Sequence, residues 1–239
     1  MTWSIVARDG ETGQIGIAVS TCAFAVGARV PFVAPGVGAV ATQAFVNPFY
    51  GFRGLELLRA GACAEDVIRI VTTADEGRGQ RQVHVMDTQG GLAAYTGADC
   101  VPWCGHLIRG TFSVAGNMLA GPQVIEETAL VFEKSADLPL ARRFLAALRA
   151  GEAVGGDKRG KQSAAILICD EEEYPYLDIR VDDHQDPLTE LARLEEVSRS
   201  RFLHYRKFMP SRDNPSGVID REEIERRIAQ SMAAENRAG

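Results

Sequence analysis

Four strand-like segments occupy the first 44 residues before any helical spacing begins, and that order leaves few folds open. Residues 3–9 and 14–21 flank the turn-rich Gly10-Glu11-Thr12-Gly13, and residues 29–34 and 38–44 flank Pro35-Gly36, so both pairs read as hairpins. Helical spacing follows at Leu55 and Leu58 up to a Gly61 stop, and again over 64–73, where Val67, Ile68 and Val71 share a face. Strand alternation returns over 81–87, with Val83 and Val85 set against Gln82, His84 and Met86, and over 92–96 beyond Gln89-Gly90-Gly91; a further strand fits 111–116. Pro122 opens a helix with Val124, Ile125, Thr128, Val131 and Phe132 on one face, and a second helix over 139–150 stops at Gly151. After a loop over 151–162 come strands at 163–169 and 176–182, then a helix from Asp186-Pro187 to about residue 206. Helices arrive in pairs rather than after every strand, which disfavours a doubly wound parallel sheet. The expected fold is α+β, a four-layer αββα sandwich of two mostly antiparallel sheets over residues 1–209. Residues 210–217 read as a linker and the remainder to 239 as a polar helix or tail.

The first strand begins at a residue with chemistry of its own. Thr2 follows Met1 directly, and a small second residue normally permits removal of the initiator methionine. Thr2 would then carry a hydroxyl nucleophile and an α-amine whose ordinary pKa is about 8. Such an amine can accept the hydroxyl proton directly or through a water, so no separate histidine is required. The bland alternative is that Thr2 is only the first residue of a strand.

Composition removes several classes of partner. The formal net charge is −6 and no Lys/Arg stripe is present, which argues against nucleic acid. No apolar run reaches the ~20 residues of a membrane span, and the N-terminus lacks a basic region followed by an apolar stretch. A cytoplasmic protein with no membrane partner is expected. The five cysteines, Cys22, Cys63, Cys100, Cys104 and Cys169, are odd in number and mostly in apolar context, which suits reduced, buried thiols.

Several stretches together carry a family resemblance: TWSIVARDGETGQIGIAVST, VGARVPFVAPGVGAVATQAFVNPFYGFRGLELL, WCGH, AGNMLAGP, GGDKRGKQSAA and DIRVDDHQDPLTEL. The chain resembles the N-terminal-nucleophile (Ntn) hydrolase superfamily and, more narrowly, domain-of-unknown-function family 1028, over most of residues 2–195. The superfamily resemblance implies the same layer order and a nucleophile opening the first strand, here Thr2. Proteasome-type members place an acid after the second strand and a lysine at the start of the third; these places hold Ser20 or Thr21 and Arg29. Arginine keeps the positive field but stays protonated, so it orients and stabilises charge without acting as a base. The resemblance also implies an oxyanion donor at the end of the fourth strand, near Gln43, with Asn47 a second side-chain candidate.

Other polar constellations have a functional and a plain reading. Asp182, Asp183, His184 and Asp186 form the densest acidic and imidazole cluster, yet successive strand residues face opposite ways and Asp186 suits a helix cap. Capping and ion pairing are therefore preferred to a metal, with Asp183 or His184 lining the pocket as an intermediate case. Cys100, Cys104 and His106 lack an evident fourth zinc ligand, so packing is preferred, and His106 is either a substrate contact or a satisfied imidazole. The loop Gly155-Gly156-Asp157-Lys158-Arg159-Gly160 lacks the ordered P-loop pattern; it is either a flexible charged loop or one that turns Asp157 and Arg159 to the site. Asn117 either donates to an oxyanion or closes a turn.

The expected function is a Thr2-dependent amidohydrolase acting on a small amide or peptide-like substrate, with no metal or cofactor. Arg29 and Gln43 support the chemistry, and Ser20, Thr21, Asn47, His106, Asn117, Asp157, Arg159, Asp183 and His184 contact substrate. One rival is a catalytically inactive protein of the same fold that binds a ligand or serves in assembly. The other is self-cleavage before Thr111, where Thr111-Phe112-Ser113 echoes Thr2-Trp3-Ser4. The superfamily resemblance and the C-terminal tail suggest a homo-oligomer.

Overall fold

The computed structural model describes residues 2–238, and it divides into two compact units, Met1–Leu191 and Ala192–Gly239. The division falls inside a helix, Pro187–Val197, ahead of the 209/210 boundary expected from sequence.

The first unit contains both sheets. Strands β1 (Thr2–Arg8), β2 (Ile15–Thr21), β7 (Gly105–Arg109), β8 (Phe112–Asn117), β9 (Ser163–Cys169) and β10 (Leu177–Val181) form a six-stranded sheet in the order β10-β9-β2-β1-β8-β7. Strands β3 (Pro31–Ala34), β4 (Gly38–Ala44), β5 (Arg81–Met86) and β6 (Leu92–Thr96) form a four-stranded sheet in that order. Every neighbouring pair is antiparallel. Helices α1 (Phe49–Arg59) and α2 (Ala64–Thr73) cover the small sheet, α3 (Gln123–Lys134) and α4 (Leu140–Ala153) cover the large one, and the sheets face each other. This is the four-layer αββα sandwich that paired helices predict.

Local chemistry fixes the turns. Asp9 Oδ1 accepts from the backbone of Glu11 at 3.1 Å and of Thr12 at 2.7 Å, an Asx turn that closes the β1–β2 hairpin. Beneath α1 and α2, Val40, Leu58, Val67, Val71, Val83 and Val85 form one apolar cluster. On the other outer face Phe132 lies 4.8 Å from Phe112 and 5.5 Å from Phe144, with the Arg143 guanidinium 3.9 Å above its ring. Burying these side chains stabilises both layers in proportion to the apolar area removed from water.

Strand β7 was not expected. It is a short edge strand beginning with a glycine and half exposed, so it lacks the apolar alternation by which a strand is recognised. The cysteines also depart from expectation in part. None is in a disulfide, but only Cys100 and Cys169 are buried; Cys63 is exposed at the N-cap of α2.

In the second unit, Phe208, Ile224 and Ile228 form a small apolar cluster, and the helix Arg221–Ala238 supplies two of the three. His204 Nδ1 lies 2.9 Å from Ser231 Oγ. Among the described residues, no helix is long and apolar enough to cross a membrane.

Candidate active site

Strand pairing decides which side chains meet at the open end of β1. Ser4 reaches across to the small sheet, so Thr2, two residues earlier, stands on the same inner face, while Trp3 turns to the helices. Thr2 is buried, and its Oγ1 lies 3.1 Å from Thr21 Oγ1 at the end of β2. The two threonines line a cavity of about 190 Å³ together with Arg29, Gln43, Ala44 and Arg159. Among the described residues lining it, Arg29 and Arg159 carry the fixed charge, and both are positive.

A loop with unusual backbone presents Arg159. Gly155 and Gly156 take φ values of 120° and 44°, conformations open mainly to glycine, and deliver Asp157 into the protein. The Asp157 side chain is fully buried; it accepts from Cys22 N at 2.9 Å and Arg159 N at 2.8 Å, and pairs with the Arg159 guanidinium at 3.2 Å. The loop is thereby tied to the end of β2, one residue from Thr21. Asp157 holds the loop and Arg159 faces the cavity, which is the ordered alternative to a flexible charged loop.

Two strand ends beside Thr2 are strained. Ala44 closes β4 at φ 69° and Met118 follows β8 at φ 54°, and both residues line a second cavity of about 240 Å³ that shares Ala44 and Arg159 with the first. A side chain in the left-handed region costs about 1–2 kcal/mol. Such strain persists only where surrounding structure over-determines it, and it gathers at ligand sites.

Behind the cavity a buried polar network joins the sheets. Ser4 Oγ donates to Gln43 Oε1 at 2.6 Å, so its oxygen accepts from His84 Nε2 at 2.8 Å, which leaves His84 Nδ1 to accept from Ser113 Oγ at 2.7 Å. His84 is fully buried, and burial pushes its imidazole down to about 3, so the ring is neutral and carries its proton on Nε2. Gln43 Nε2 donates to Gln82 Oε1 at 2.8 Å and to Ala115 O at 3.1 Å. Asn117 Nδ2 donates to the same Gln82 oxygen at 3.0 Å, and both amides also approach the Thr2 carbonyl, at 3.5 and 3.4 Å. Gln82 Nε2 reaches Gly116 O at 2.8 Å, Thr96 Oγ1 at 2.9 Å and Gly105 O at 3.0 Å.

The structure thus brings Thr2, Thr21, Arg29, Gln43 and Arg159 to one cavity, with Asp157 behind Arg159 and Asn117 in register with Thr2. The Gln43 amide hydrogens are directed at Gln82 and Ala115, which makes its side chain a support rather than an oxyanion donor. Other expected residues lie elsewhere. Ser20 is paired with Trp3 and so faces the helix side of the sheet. Asn47 donates to Asp75, which also accepts from Tyr50 and Arg81; the Arg81 guanidinium holds that carboxyl well below the usual range. His106 bonds to Thr96 on the exposed edge. Asp183 and His184 line a separate open groove with Cys22, Lys161 and Gln162. Asp186 accepts from Thr189 Oγ1 at the start of α5 (Pro187–Val197) and pairs with Lys161 at 3.0 Å. Cys100 and Cys104 point their thiols at backbone carbonyls of Arg81 and Cys100. Among the described residues, no three His, Cys, Asp or Glu side chains are placed to hold a metal ion. Thr111 is exposed in the β7–β8 turn, at the end of β8 opposite Asn117, so the cavity is not built around it.

Ser4, Gln82, His84 and Ser113 were not anticipated. The available signal was the alternation in β5, whose polar residues share one face. That face is buried against the other sheet instead of wet.

A model described as "Family of unknown function (DUF1028)" matches residues 2–191. The crystal structure of a DUF1028 protein from Silicibacter pomeroyi is 33% identical, with 92% of this chain and 99% of that one covered and a TM-score of 0.85. The Anbu (ancestral beta-subunit) protein from Yersinia bercovieri aligns at 12% identity over 84% of this chain and 96% of its own, with a TM-score of 0.40. A search of curated proteins found no match.

Proposed function

This chain belongs to the DUF1028 family, and we propose that it is an Ntn-type amidohydrolase in which Thr2, with its α-amine freed, is the nucleophile. The observation that carries this reading is the buried Thr2 hydroxyl at the mouth of β1, facing a small cavity whose lining charges are two guanidiniums. The free amine is the form that acts as base; Arg29 brings positive charge to the cavity, while that of Arg159 is balanced by the buried Asp157 carboxylate. The amine takes the Thr2 Oγ proton as oxygen attacks the substrate carbonyl, forming the C–O bond. Arg29 stabilises the charge that develops on the carbonyl oxygen. Collapse breaks the C–N bond, and the ammonium returns the proton to the leaving amine. Water then attacks the ester with the amine again as base, and breaking the Thr2 C–O bond releases the acid. The 3.1 Å contact with Thr21 orients the hydroxyl, and Gln43 and Asn117 hold the Thr2 carbonyl from behind.

The test is a screen of small amides against protein whose N-terminal residue is Thr2, alongside Thr2→Ala and Thr2→Ser. Thr2→Ala keeps its fold and loses activity by about 10³-fold or more, while Thr2→Ser retains part of it. Equal turnover by the wild type and Thr2→Ala removes the mechanism.

A further inference from the structure

The cavity beside Thr2 does not stand alone. Ala44 and Arg159 form a wall common to it and to the 240 Å³ cavity, whose other lining includes Phe45, Val101, Met118 and Asp99. A ligand with its carbonyl at Thr2 therefore has Arg159 on one side and, beyond it, a recess of mixed character with Phe45, Val101 and Met118 on part of its wall and Gln80, Asp99 and Asn117 on the rest. Arg159 is preorganised, because Asp157 holds the Nε/Nη2 edge of its guanidinium at 3.5 and 3.2 Å and so removes much of the entropy a surface arginine loses on binding; a ligand carboxylate would share this guanidinium with Asp157. The recess takes hydrocarbon on Phe45, Val101 and Met118, and the Asp99 carboxylate at its edge repels a second negative charge.

Resting on the Thr2 reading, we infer that the substrates are N-acyl amino acids with one carboxylate and a neutral apolar side chain. The carboxylate lies on Arg159, the side chain enters the second cavity, and the amide lies at Thr2. Dicarboxylic members of the class are disfavoured by Asp99.

Binding tests this separately from catalysis. Calorimetry with the Thr2→Ala protein uses N-acetylleucine, its neutral isostere N-acetylleucinamide, and N-acetylaspartate. N-acetylleucine should bind at least about 10-fold more tightly than either of the others. In Thr2→Ala/Arg159→Gln, with folding checked by thermal melting, N-acetylleucine affinity should fall about 10-fold and the preference over the amide should disappear. Adding Asp99→Asn to Thr2→Ala should narrow the gap to N-acetylaspartate. Equal binding of acid and amide, no binding of N-acetylleucine up to about 10 mM, or a preference that survives Arg159→Gln overturns the inference. If Thr2 proves not to be the nucleophile, the binding contrast still stands or falls by itself. A reactive Thr2 with no contrast refutes the substrate class alone.

Discussion

The space between the two sheets has two halves of opposite character. Between β2/β9 and β3/β4 it is filled by Ile15, Ile17, Val19, Val26, Val30, Ala39, Ala41 and Ala165, with Val6 and Met86 at the seam. Between β1/β8 and β4/β5 it holds Ser4, Gln43, Gln82, His84, Ser113 and Asn117, joined by hydrogen bonds. An apolar layer stabilises by area and tolerates small changes of shape, whereas a buried polar layer is neutral at best and costly once one member is lost. The apolar half therefore accounts for why the sheets stay together, and the polar half for why the end of β1 sits where it does. Thr2 lies at the margin of the polar half, and the cavity beside it is lined by Val26 and Val30 of the apolar half.

The largest expected difference between the halves comes from Gln82. Gln82→Leu leaves the Gln43 and Asn117 donors and the Gly105 and Gly116 carbonyls without their shared partner, and should destabilise by about 3–5 kcal/mol in urea unfolding. Ile17→Val, an equally buried change in the apolar half, should cost only about 1 kcal/mol. Equal losses would erase the distinction.

A pH effect separates the halves next. His84 has its pKa lowered from 6.5 to about 3 in the folded protein. The unfolded chain therefore binds a proton below pH 6.5 that the native state refuses until about pH 3, and stability falls as pH falls through that window. Between pH 7 and 5 this one group should remove about 2 kcal/mol. The loss should be smaller by that amount in His84→Asn and unchanged in Ile17→Val, as read from urea midpoints at both pH values.

The smallest effect compares two ends of one strand. Ala44→Gly releases the left-handed strain at φ 69° and should stabilise by about 0.5–1 kcal/mol, while Ala39→Gly, in regular strand within the apolar half, should destabilise by about 1 kcal/mol. Loss of stability at Ala44 as well would mean that no strain is held there.

The same contrast explains what was legible in the sequence. The apolar half and the helix pairs declare themselves by period, so the αββα sandwich and nearly all of its strands could be read from spacing; β7 could not, because an edge strand owes its place to pairing with β8 and not to a buried stripe. The place of Thr2 at the cavity was legible because it begins the first strand; Arg29 also reaches the cavity, although it precedes the third strand, which starts at Pro31 and not at residue 29 as expected. The polar half was hidden, since Gln82 and His84 alternate with valines as residues on a wet face would, and only the opposing sheet buries them. Asp183, His184 and Asn47 were drawn in by residue type, yet Asp183 and His184 lie past the end of β10 in their own groove and Asp75 holds Asn47.

The central claim is that a freed Thr2 is a nucleophile activated by its own amine, and an electrophile that needs no knowledge of the substrate tests it most directly. A β-lactone opened by Thr2 Oγ forms an ester and adds its full mass, with the hydroxyl proton passing to the released alkoxide. Protein beginning at Thr2 should gain one such mass, mapped by peptide sequencing to the N-terminal residue. Thr2→Ala and protein bearing an additional residue ahead of Thr2 should gain none. Labelling that persists in Thr2→Ala, or no adduct on protein with a free Thr2, would contradict the account.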